Sequence, residues 1–110
     1  MNTVDAFKSV EMRVGRIVEV RDHELAKNPM YVLSVDFGKE IGARTIVAGI
    51  KPYYPEKGEL LNKKVVCVVN LEPKKIAGIE SNGMVLAAES ADRVMLVVPD
   101  KEIEEGSAVH

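Results

Sequence analysis

The sequence predicts an all-β fold, and three observations carry that prediction. Short apolar runs recur along the chain with Gly, Pro, Asn or Asp clusters between them every 8–12 residues. Beyond the first ten residues no long segment shows helical spacing. The composition is that of a globular chain: 110 residues, 46% hydrophobic, 29% charged, with 8 Gly and 5 Pro. That apolar content excludes disorder, and the modest Gly and Pro counts exclude collagen-like or Pro-rich classes. The length leaves room for one domain, 1–110, large enough to bury a core without staples.

Thr3 to Val10 reads as a short helix, with Thr3 as the expected N-cap and Val4, Phe7 and Val10 at helical spacing. So short a helix is marginal alone and must dock on something. Met12 to Val20 switches to period two and predicts a long first strand, with a bulge or bend near Gly15. Arg21–Pro29 is a polar loop. Met30 to Phe37 is a second strand, Gly38–Gly42 its hairpin turn, and Ala43 to Ile50 a third strand. Pro52, Pro55 and Gly58 break the ladder, and Leu60-Leu61 should pack this connector down. Lys64 to Asn70 is a fourth strand, and Leu71–Asn82 a loop punctuated by Pro73 and Gly78. Met84 to Ala88 and Arg93 to Val98 are the last two strands, before Pro99 and a charged tail.

Five strands with a connector between the third and fourth suit the OB-fold, a five-stranded Greek-key barrel. Here it would carry a short N-terminal helix and a C-terminal strand extension. Val65-Val66-Cys67-Val68-Val69 and Val94–Val98 are apolar at successive positions, so both strand faces are apolar. A small barrel buries only the inward set. The outward set needs cover, and a second copy of the chain is the simplest one, so a homodimer is expected. Folding back of the Pro99–His110 tail is the alternative cover.

Several function classes are excluded by what is missing. There is no G-x-S-x-G, no G-x-G-x-x-G and no phosphate-binding G-x-x-x-x-G-K-[ST]. The single cysteine, Cys67, excludes an internal disulfide, and with only His23 and His110 beside it no Cys/His metal site is expected. Cys67 sits in a valine run and should be an inert buried thiol. His23 has no partner at motif spacing and reads as a loop residue. The tail acids lack the spacing of a calcium loop and read as a solvated face. No catalytic residue, metal or cofactor is expected, no apolar run spans a membrane, and the first ten residues carry no secretory leader. A reducing cytoplasmic setting follows.

Charge distribution says more than its total of −2. Leu61 to Ile79 holds four lysines against Glu72 alone, a local balance of +3, while Glu89 to Gly106 carries −4. Within the basic middle, Asn70-Leu71-Glu72-Pro73-Lys74-Lys75-Ile76-Ala77-Gly78-Ile79-Glu80-Ser81-Asn82-Gly83-Met84 concentrates groups suited to a nucleic acid. Lys74 and Lys75 supply point charges for phosphates. Asn70, Ser81 and Asn82 supply donors and acceptors, Gly78 and Gly83 allow close approach, and Met84 offers a pliable apolar surface for a base.

This stretch resembles the signature of the tRNA-binding OB domain, which occurs as a free-standing dimer and within or beside methionyl-tRNA synthetase. Met12-Arg13-Val14-Gly15-Arg16-Ile17, Tyr31 to Gly38 and Arg44 to Ile50 are similar to that family's first three strands. Asn70-Leu71, Lys74-Lys75, Gly78, Ser81, Gly83-Met84 and Leu86-Ala87-Ala88 are similar to its most distinctive block. The resemblance implies that Arg44, Lys74 and Lys75 face RNA phosphates, and that Asn70, Ser81, Asn82 and Met84 line the same surface. Lys27 would stand for the family's loop lysine. It further implies non-catalytic recognition of tRNA by shape and sugar–phosphate contact, with a methionyl-tRNA synthetase as a partner. A close relative, the CsaA-type secretion chaperone, resembles the chain in Asp36-Phe37-Gly38-Lys39-Glu40-Ile41-Gly42 and in the loop containing Pro29. That resemblance implies the alternative, binding of unfolded preprotein or peptide.

Overall fold

The computed structural model describes residues Met1–His110. Its long first strand organises the rest. β1 (Met12–Asp22) pairs antiparallel with β4 (Lys64–Val68) over its first half, from Met12 opposite Val68 to Arg16 opposite Lys64. Over its second half it pairs with β2 (Tyr31–Asp36), from Arg16 opposite Asp36 to Asp22 opposite Tyr31. The register shifts between Ile17 and Glu19, where the strand has just changed partner. The extra residue bends and twists β1, so one strand serves two sides of a barrel. The bulge thus falls at Val18 and not near Gly15. Gly15 is needed for a different reason: a Cβ there would lie 2.5 Å from Val35 Cγ1 and 2.6 Å from the Phe37 ring. Only a residue without a side chain lets those two groups meet over β1.

β3 (Ala43–Ala48) pairs with β2, and β7 (Met84–Val85) pairs with β4, giving the order β3-β2-β1-β4-β7. The Gly38–Gly42 turn contains one helical turn, α2 (Gly38–Ile41), rather than a bare hairpin turn. The barrel closes between β3 and the entry to β7 through two bonds. The Asn82 amide donates to the Thr45 carbonyl at 2.8 Å, and the Val47 amide to Ser81 Oγ at 2.9 Å. This is the expected five-strand OB barrel.

Strand alternation builds the core. Tyr31, Leu33 and Val35 from β2 meet Val65, Cys67 and Val69 from β4 and its exit, with Ile17, Phe37 and Ile46. Each such side chain is worth about 1.5–3 kcal/mol when buried. A one-residue slip would turn the whole inward set of a strand outward, so the register is strongly specified. The connector after β3 makes two short 3-10 turns, Lys51–Tyr53 and Lys57–Glu59. Leu60 plugs the barrel beneath them while Leu61 stays exposed. The Tyr31 hydroxyl donates to the Tyr54 carbonyl at 2.6 Å, and the Tyr54 hydroxyl accepts from the Leu96 amide at 3.0 Å, tying connector to core.

α1 (Thr3–Lys8) is capped by Asn2, whose Oδ1 accepts from the Asp5 amide at 2.9 Å, so Thr3 is its first helical residue and not its cap. The segment expected as a loop, Leu71–Asn82, contains a hairpin of its own, β5 (Lys74–Ile76) and β6 (Ile79–Ser81). Its two-residue turn has φ 49° at Ala77 and 90° at Gly78, the positive-φ pair that a tight hairpin turn demands. The strand expected over Met84–Ala88 is split at Leu86 into β7 and β8 (Ala87–Ser90), and β8 pairs with β9 (Arg93–Leu96). β10 (Ala108–Val109) returns to β1, with Ala108 opposite Arg13.

Val65 to Val69 are all buried within a single copy of the chain. The Leu86 amide donates to the Val66 carbonyl, the Val66 amide to the Val97 carbonyl, and the Gly106 amide to the Val14 carbonyl. The chain itself therefore covers the fourth strand. Exposed apolar side chains include Val4 and Phe7 on α1 and Met95, Val97 and Val98 at and after β9, with others such as Leu25 and Leu61 scattered elsewhere. No helix is long and apolar enough to cross a membrane. Burial pushes the Cys67 thiol up to about 12, in keeping with an inert core cysteine.

Candidate nucleic-acid interface

The β5–β6 hairpin stands against β3 and roofs the barrel at its closing seam. Its register sets Lys74 opposite Ser81, Lys75 opposite Glu80 and Ile76 opposite Ile79. Side chains alternate along a strand, so Lys74 and Ile76 share a face and Lys75 takes the other. Under the first face runs an open groove of about 650 Å³. Val47 of β3 forms its floor. Asn70, Leu71 and Glu72, from the segment after β4, line it together with Lys74, Ile76 and Ser81 of the hairpin. Gly83 and Met84 complete the lining.

Of the eight residues singled out in the sequence, Asn70, Lys74, Ser81 and Met84 line this groove. Lys75, Arg44, Asn82 and Lys27 lie outside its lining. Several of the polar groups are already engaged. Asn70 Oδ1 accepts from the Glu11 amide and Nδ2 donates to the Ser9 carbonyl, both at 2.8 Å, so this amide anchors the chain leaving α1. Ser81 Oγ accepts from Val47 and donates to the Gly83 carbonyl at 3.3 Å. Arg44 Nη1 donates to the Val69 carbonyl. These side chains shape the seam, and the groups still free are few. Lys74 and Lys75 are exposed and take part in no ion pair. Met84 is 48% exposed. Lys27 is exposed in the loop between β1 and β2.

The residues missed by sequence reasoning are the apolar ones, Val47, Leu71 and Ile76, together with Glu72. A signal for Ile76 existed: Ile-Ala-Gly-Ile has the form of a two-residue hairpin turn flanked by apolar strand ends. Nothing local marks Val47, which faces the groove only because the barrel closes beside it.

A family model described as "Putative tRNA binding domain" matches residues 12–108. The chain belongs to this tRNA-binding domain family. It is 52% identical over 103 residues to methionine–tRNA ligase of Pyrococcus horikoshii, covering 94% of this chain but 14% of that protein. The chain thus spans about one seventh of the length of such relatives. Among solved structures it is similar to the CsaA chaperone protein of Picrophilus torridus, with 41% identity, TM-score 0.92 and full coverage of both chains. It is also similar to a MetRS-related protein of Pyrococcus horikoshii, with 40% identity, TM-score 0.87, and coverage of 100% of this chain and 98% of that one. A tRNA-binding domain of this family is a binding module, and the arrangement above fits one: free ammonium groups beside an open, largely apolar groove.

Proposed function

We propose that this chain binds tRNA without catalysing a reaction, as a free-standing tRNA-binding protein or as an auxiliary part of a methionyl-tRNA synthetase, in the cytoplasm. The observation that carries the reading is the hairpin of a tRNA-binding-family barrel holding Lys74 free of any ion pair on the groove and Lys75 equally free on its other face. Ammonium groups left unpaired keep their full attraction for a phosphate backbone. Lys27 and Arg44 extend the positive rim, and Met84 and Ile76 offer apolar surface to a base.

A second reading, capture of unfolded preprotein, is favoured by one specific feature: Val47, Leu71, Ile76 and Met84 make the groove apolar enough for a peptide side chain. The experiment that separates them titrates labelled tRNA and an unfolded model peptide against the protein at several salt concentrations. With three to four phosphate contacts, log affinity for tRNA should fall with log salt at a slope of roughly −2 to −3.5. Tight peptide binding with no tRNA binding would hand the groove to the peptide, and a flat salt response would remove the phosphate contacts.

The binding unit is a homodimer in this reading. α1 leaves Val4 59% and Phe7 51% exposed, and Val97 and Val98 are also open. A helix this short needs a docking partner. Sedimentation at micromolar concentration should give twice the 12.1 kDa chain mass. A monomer would remove the dimer from the reading and leave the groove untouched.

A further inference from the structure

His23 is the one histidine buried in the fold, 5% exposed. It follows directly on the end of β1. Its ring Nε2 lies 2.7 Å from the carbonyl oxygen of Ile76, 53 residues away. A carbonyl only accepts, so Nε2 must carry the hydrogen. The other ring nitrogen, Nδ1, is buried with no protein group in hydrogen-bonding reach. His23 is itself held from both sides: its amide donates to the Met30 carbonyl at 3.0 Å and its carbonyl accepts from Ala26 at 3.4 Å. Asp22, next in the chain, is not its partner. That carboxylate is occupied by Lys51 at 2.9 Å and Lys57 at 3.0 Å.

Ile76 is the last residue of β5 and lines the groove. The hairpin it belongs to has only three paired positions, too few for a two-stranded ribbon to stand alone in water. Its root is held by Ser81 Oγ on the Val47 amide. Its tip, at the Ala77–Gly78 turn, is held by His23.

We propose that His23, through its Nε2–H, is a positioning residue that latches the tip of the β5–β6 hairpin over the groove and so sets the placement of Lys74 and Ile76. It touches no ligand. The consequence for affinity rests on the tRNA reading given above, whereas the latch itself does not.

Three measurements on the intact chain test this. Imidazole nitrogen shifts of the wild-type protein should show His23 as the Nε2–H tautomer. Amide exchange of Lys74–Ser81 in His23→Ala should speed up by about tenfold or more, while β1, β2 and β4 keep their protection. His23→Gln, which returns an N–H donor near the Nε2 position, should restore protection to within about threefold of wild type. tRNA affinity should follow the same pattern, with a loss of about tenfold in the alanine variant and near-recovery in the glutamine variant. A ring protonated on Nδ1 alone would overturn the latch, and so would unchanged hairpin exchange in His23→Ala. Should that variant fail to fold, the wild-type tautomer and the exchange of His23→Gln decide. Absence of tRNA binding by the wild type would defeat the binding reading and leave the latch to stand or fall on tautomer and exchange.

Discussion

Lys64 and Lys74 each open a short strand of the same barrel, yet their ammonium groups meet opposite fates. The Lys64 side chain is 15% exposed and bonds Glu102 and the Ile103 carbonyl, with Glu105 at 3.2 Å. Glu105 also accepts from Arg16 Nε at 3.2 Å, and Arg16 reaches Asn62 at 3.1 Å. This network straps the C-terminal tail against the start of β4. Lys74 stands opposite Ser81, exposed and unpaired. A charge met by its opposite loses its outward field and holds structure together, while one left unmatched stays available to a polyanion. The local balance of +3 read over Leu61–Ile79 therefore overstates the basic character there, because the acidic tail folds back onto Lys64. Part of the tail expected as a solvated acidic face is a strap.

The contrast is sharpest when both hairpin charges are reversed. Lys74→Glu with Lys75→Glu should weaken tRNA binding by at least about tenfold and leave the melting temperature almost unchanged, as fluorescence titration and calorimetry would record. A large drop in melting temperature with intact binding would make these lysines structural after all. The opposite pattern is expected at the tail. Glu105→Gln removes the carboxylate shared by Lys64 and Arg16, so the melting temperature should fall while tRNA affinity holds. Loss of affinity there would mean that the strap shapes the groove.

The smallest effect is the pH dependence. The hydrogen bond from Lys64, then a backbone bond and Arg16, hold the Glu105 carboxyl below its ordinary value of 4.5. Asp22 is lowered likewise by its hydrogen bonds from Lys51 and Lys57. The unfolded chain therefore takes up these protons at higher pH than the folded one. Their contribution is complete near neutrality and is lost as the pH falls below about 4.5 through the depressed folded values. Melting curves from pH 7 down to 3 should show a declining acid limb, shallower in Glu105→Gln. An unchanged limb in that variant would show the strap carries no linked proton.

The elements were legible where their cause is local. Tyr31, Leu33 and Val35 share one face of β2 and Val65, Cys67 and Val69 one face of β4 and its exit, so the strands were legible locally, but Val32, Val66 and Val68 are equally apolar and the choice of core face was not. The β5–β6 hairpin was written in the chain as Ile-Ala-Gly-Ile but masked by Pro73 and the polar residues around it. The bulge escaped because β1 changes partner at Arg16, an event invisible along one strand. At the site, the exposed lysines and Met84 were readable as residue types. The engagement of Asn70 with Ser9 and Glu11, and of Ser81 with Val47, was not.

The sequence by itself determined an all-β barrel with a basic segment after its fourth strand, since apolar periodicity and turn chemistry act over a few residues. Only the tertiary structure decided which charges remain free and which polar groups are spent. Glu102 lies 38 residues from Lys64, Ile76 lies 53 from His23, and Asn70 lies 61 from Ser9. Pairings at such separations exist only once the barrel has closed and brought those segments side by side.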